Sequence, residues 1–98
     1  ILEEHPEVDG ILCASDVMAI GAIQAIRNTG KTVGKEIGVA GVDDFWMDRY
    51  IEVPLTSAHL YFHECGLRAA GLLLEQMKGD MTTQQICLDF SIVDRGSL

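Results

Sequence analysis

Two short apolar runs on either side of a helix-forming segment constrain this chain more than any other feature. Pro6 and Gly10 bracket a turn, and Ile11 to Ala14 is then an unbroken apolar run, as in a parallel strand buried on both faces. Ser15 and Asp16 read as helix N-terminal residues, Val17 to Asn28 carries apolar side chains nearly all round, and Gly30 stops the helix. After a polar loop from Lys31 to Glu36, Ile37 to Val42 returns as a second strand. The order predicts a right-handed βαβ unit over residues 10–53 and an α/β fold on a parallel sheet. A helix on one face of a sheet needs only an apolar stripe, so the surplus positions, Ile20 among them, predict a second buried contact such as a subunit interface.

Downstream, Phe45 to Val53 is too irregular for a long element, and Pro54 precedes a strand-like run from Leu55 to His59. Phe62 to Lys78 is a helix on its spacing: Cys65, Ala69, Leu72, Leu73 and Met77 recur at three- and four-residue intervals, with Glu64 and Arg68 as an i,i+4 pair and Gly79 as the stop. Ile86, Leu88, Phe90 and Ile92 alternate with Cys87, Asp89, Ser91 and Val93, which predicts a strand with the first set on its buried face. The chain starts on Ile1 within what reads as a helix tail to His5, and is therefore taken as a piece of a longer protein.

With 98 residues, 48% of them hydrophobic, the chain suffices for one small domain. A net charge of -8 repels phosphate backbones, so nucleic acid is not expected to bind this segment directly. Cys13, Cys65 and Cys87 lie in apolar runs without pair spacing and read as reduced core thiols, which favours the cytoplasm. No run is long and apolar enough for a membrane span, and no leader pattern is present.

Ligands of open parallel α/β sheets bind outside the carboxyl ends of the strands. Ser15-Asp16 and Asp43-Asp44, the latter within "GVAGVDDFW", both fall at such ends, where carboxylates can accept hydrogen bonds from sugar hydroxyls or from the N–H groups of a base. On pattern alone the plainer alternative is favoured, since Asp is common at such places for local hydrogen-bonding reasons: Asp16 caps its helix and Asp43-Asp44 ends a strand in a turn.

The string "ILCASDVMAIGAIQAIRNTGKTVGKEIGVAGVDDF", followed by "VPLTSAHLYFHECGLRAAGLLLEQMKG" and a terminal "VDRGSL", resembles the final part of the effector-binding domain of LacI/GalR-family transcription repressors. The motifs are S-D-x-M-A-x-G-A, G-x-D-D after a strand, P-L-T, a G-x-x-A-A helix and R-x-S. The resemblance implies a partial type I periplasmic-binding-protein-like fold, a three-layer αβα arrangement with a parallel sheet. Residues 54–80 would cross into a second lobe, and residues 84–98 would be a return strand and tail. It also implies a small-molecule effector, a sugar or sugar derivative, contacted by Asp43, Ser15, Phe62 and Leu60. A homodimer would form through Ile20 and Tyr50, and DNA would be reached only through a separate N-terminal headpiece. Ser15 stands where the family often has Asn, and has less reach. An exported sugar-binding protein of the same fold is the alternative; the unpaired cysteines, the apolar second helix face and the R-x-S ending favour the regulator.

Other chemistry is weakly represented. His59, His63 and Cys65 lack the tight repeated spacing of zinc sites, so no metal is expected. Asp43-Asp44 could hold magnesium, but the lysine and hydroxyl partners of phosphoryl chemistry are not at recognisable positions. Trp46 and Phe45 could stack on a sugar face or cover the end of a sheet. No nucleophile–base pair or phosphate loop is present, so neither an enzyme nor a cofactor is expected.

Overall fold

A computed structural model describes residues 1–98. Four strands and two helices alternate: β1 (Gly10–Leu12), α1 (Asp16–Asn28), β2 (Gly38–Val42), β3 (Thr56–Leu60), α2 (Phe62–Met77) and β4 (Phe90–Val93), in the sheet order β1-β2-β3-β4. β1 pairs with β2 and β2 with β3 in parallel, with Ile11 opposite Val39 and Gly41 opposite Ser57. The chain divides into two compact units, residues 1–59 with 91–98, and residues 60–90.

The first unit holds the core. α1 lays Ala19, Ile23 and Ile26 against β2, and these side chains close with Cys13, Val33, Ile37, Val39 and Leu55 into one buried cluster. The helix starts where Ser15, in extended backbone, accepts the N–H of Met18 at 3.4 Å, and stops as the Thr29 hydroxyl folds back onto the Ile26 carbonyl. Arg27, in its last turn, reaches Glu52 at 2.5 Å, tying α1 to the segment ahead of β3. The tail closes the same unit: buried Ser97 donates to the Val39 carbonyl and accepts the N–H of Thr56. Gly34 and Gly96, both at positive φ, approach so closely that a Cβ at Gly34 would overlap the Gly96 carbonyl.

In the second unit, Arg68 donates to Glu64 at 2.7 Å as the i,i+4 spacing predicts, and Gly79 (φ 102°) follows the end of α2. No residue of α2 is buried.

Several expectations need correction. β1 is an edge strand, and Leu12 is 78% exposed rather than enclosed on both sides. β4 covers only residues 90–93, and its phase is the reverse of the one expected: Phe90 and Ile92 are exposed while Ser91 and Val93 are half-buried. Alternation fixes a period but not which face finds a partner. Of the three cysteines only Cys13 is in the core; Cys65 and Cys87 are exposed. Ile1 to His5 forms a single turn, closed by His5 N–H on the Ile1 carbonyl, rather than the end of a longer helix. The irregular segment contains one short 3-10 turn, Trp46–Arg49. No helix is long and apolar enough to cross a membrane.

Candidate functional site

The parallel pairing of β1 with β2 brings Ser15 and Asp43 to the same end of the sheet, each just beyond the carboxyl end of its strand. The backbone at that end is unusual. Asp43 (φ 123°) and Asp44 (φ 55°) are both in the positive-φ region that side-chain-bearing residues avoid, and they are the only non-glycine residues of the chain that do so. Conformations of this kind cost about 1–3 kcal/mol each and persist only where surrounding contacts over-determine them.

Those contacts come from three directions. The Asp43 N–H donates to the Ala58 carbonyl at 2.9 Å, and the Asp44 N–H donates to the Ser57 hydroxyl at 3.0 Å. Ser57 in turn donates to Asp16 Oδ1 at 2.5 Å, while Asp16 Oδ2 accepts the N–H of Phe45 at 2.9 Å. Asp16 is therefore not the helix cap; Ser15 is. Asp16 is a buried clamp from the first turn of α1 onto the loop, and its carboxylate occupies the space a Cβ at Gly41 would need.

The Asp44 carboxylate is bound on both oxygens, by the Arg95 guanidinium on Oδ1 and by His59 Nδ1 on Oδ2 at 2.9 Å. Burial pushes this carboxyl up, but hydrogen bonds and charge from Arg95 and His59 outweigh it and hold the group below the usual carboxylate range. Arg95 also donates to the Leu55 carbonyl. Beneath the loop, Asp48 is fully buried, and burial together with the neighbouring Asp16 side chain pushes its carboxyl up to about 7, against the pull of Arg95. Asp43 enters this network only through its backbone N–H. The loop thus carries one carboxylate, on Asp44, bonded on both oxygens within the chain, and one, on half-buried Asp43, that makes no such bond and sits on a positive-φ backbone.

Leu60 ends β3 and is half-buried, and Phe62 opens α2 and is exposed; both belong to the second unit. Ile20 is half-buried on α1 outside the core cluster, and Tyr50 is 74% exposed, edge-on to Trp46, which also lies 6.1 Å from Phe45 between ring centroids. No three His, Cys, Asp or Glu side chains converge as a metal site would require. Reading the sequence missed Ser57, His59 and Arg95 as supports of the loop; the only local signals were the serine after P-L-T and the arginine of R-x-S.

Residues 1–98 match the family model of a periplasmic binding protein-like domain. The transcriptional regulator CelR of Thermobifida fusca is 32% identical over 84% of this chain, and the repressor PurR of Actinobacillus pleuropneumoniae is 36% identical over 86%. The chain spans 24% of the length of each. Among solved structures, a CelR–cellobiose complex superposes with a TM-score of 0.90 at 30% identity, over 98% of this chain and 30% of that one. The lac repressor dimer bound to operator and the anti-inducer ONPF superposes with a TM-score of 0.86 at 31% identity, over 98% of this chain and 34% of that one.

Proposed function

The chain belongs to the periplasmic binding protein-like domain family, as the counterpart of the C-terminal part of the effector-binding domain of LacI/GalR-type transcription regulators, and from that premise we propose that it forms one wall of the site where a cytoplasmic repressor senses a sugar or related small molecule. The observation that carries this is the contrast between Asp43 and Asp44. Asp44 has both oxygens bonded within the chain, while the Asp43 carboxylate has no such role and is held by a backbone at φ 123°. Strained backbone clusters at ligand-contacting positions, and nothing inside the chain uses the Asp43 carboxylate that this backbone presents.

In this reading Asp43 accepts hydrogen bonds from effector hydroxyls, and Ser15 offers a second polar contact from the neighbouring strand end. Leu60 and Phe62 contribute apolar surface, residues 54–80 cross into a second lobe, and residues 84–98 return from it. Effector binding between lobes changes their orientation, and a homodimer joined through Ile20 and Tyr50 transmits that change to DNA-binding segments outside this acidic stretch. The complexes of relatives with cellobiose and with an operator support both halves of this reading.

Isothermal titration of the intact polypeptide containing residues 1–98 with cellobiose, lactose and a nucleobase tests it. Binding of one class, lost in Asp43→Ala with the fold retained, is the expected result. Equal affinity in wild type and variant would overturn the assignment of Asp43.

A further inference from the structure

Asp48 is the one buried side chain whose polar atoms make no hydrogen bond: it is 0% exposed, and neither carboxyl oxygen is paired with a donor. Its backbone is firmly rooted, with the N–H on the Phe45 carbonyl at 3.0 Å and the carbonyl accepting from Leu55 N–H at 2.9 Å. From α1, the carboxyl of Asp16 faces it. From the tail, Arg95 Nη1 stops 3.9 Å from Oδ2, too far for a hydrogen bond, because the guanidinium is held by the Leu55 carbonyl and by Asp44, itself paired with His59. An anion at Asp48 would therefore lie in the interior beside a second carboxylate, offset only by the Phe45 N–H, which is already bonded to Asp16, and by Arg95 at 3.9 Å. As a neutral acid, Asp48 becomes a donor, and Asp16, which already accepts from Ser57 and Phe45, is the acceptor in front of it.

We propose that Asp48 is a protonation-dependent positioning residue: as the neutral acid it donates to Asp16 and fixes the Asp43–Phe45 loop, and as the anion it repels Asp16 and loosens that loop. Raising of the Asp48 carboxyl to about 7 places the change near neutrality. The meaning of the device for sensing rests on the effector reading above, but the loop's behaviour is measurable with no ligand present.

The test is amide hydrogen exchange of Asp44 and Phe45 by NMR in the intact polypeptide, corrected for intrinsic rates, at about pH 6 and about pH 8. Wild-type protection at Phe45 is expected to fall about tenfold across that range. In Asp48→Asn, whose side-chain amide donates to Asp16 without titrating, it is expected to stay level. An equal change in both proteins overturns the proposal. Should the Asn variant fail to fold, the carbon-13 carboxyl titration of wild-type Asp48 decides: a midpoint near neutrality upholds the role, and one in the ordinary carboxylate range overturns it. The exchange pattern found in a polypeptide that binds no small molecule would uphold Asp48 and count against the effector reading.

Discussion

Asp16, in the first turn of α1, accepts the backbone N–H of Phe45 at 2.9 Å, so the helix that starts after β1 holds the loop that ends β2. The same carboxylate fills the space beside Gly41. Gly41→Ala should therefore cost about 1–3 kcal/mol through overpacking against Asp16. Asp16→Ala should cost about 2–4 kcal/mol, because Ser57 Oγ and Phe45 N–H lose their acceptor. A double-mutant cycle by urea unfolding should find the alanine at Gly41 less costly in the Asp16→Ala background, with a residual cost from the tight approaches to the residue 16 Cα and to Leu55, both at 3.1 Å. Strict additivity would mean that the two residues do not share this space.

Asp43→Gly separates strain from ligand contact. Glycine adopts φ 123° without a Cβ penalty, so the variant should be more stable than Asp43→Ala by about 1 kcal/mol while both lose effector binding. Equal unfolding midpoints for the two variants would show that the loop holds no strain at this position.

The Asp44–Arg95 pair should dominate the acid limb of stability. A carboxyl held below its ordinary value of 3.8 stabilises the fold fully above that pH and loses the contribution as pH falls beneath it. Asp44→Asn leaves Arg95, itself only 11% exposed, without its carboxylate, and should cost about 3 kcal/mol at neutral pH. The variant's stability should decline less steeply than that of the wild type below about pH 4. Parallel acid-unfolding profiles would remove Asp44 from that role.

What could be read from the chain beforehand was local. α1 and α2 announce themselves through three- and four-residue spacing and their glycine stops, and the strands through short apolar runs, because these signals lie within single elements. Asp43 was accessible through a motif resemblance. The cluster that supports it was not: Ser57 meets Asp16 across 41 residues and Arg95 meets Asp44 across 51, so no window of sequence contains either pair. The buried phase of β4 failed for a related reason. Ile86 to Ile92 alternate correctly, but which face is covered depends on contacts made elsewhere in the fold, and Asp48 looked like one more acid in an irregular loop until burial singled it out.

Ile20 offers the sharpest test of assembly. It points away from the buried row Ala19, Ile23 and Ile26 and is only half-covered, so replacing it should leave the core intact. Glutamate at this position would put a charge into the proposed subunit contact, where burying it without a partner is unfavourable, whereas in a monomer it would meet water. Ile20→Glu should therefore raise the dimer dissociation constant by tenfold or more, equivalent to about 1.4 kcal/mol, with little change in the unfolding of the monomer. Tyr50→Ala, removing an exposed aromatic ring, should act in the same direction. Sedimentation equilibrium of the intact polypeptide reads both effects. A dimer equally tight in both variants would place the interface on another face.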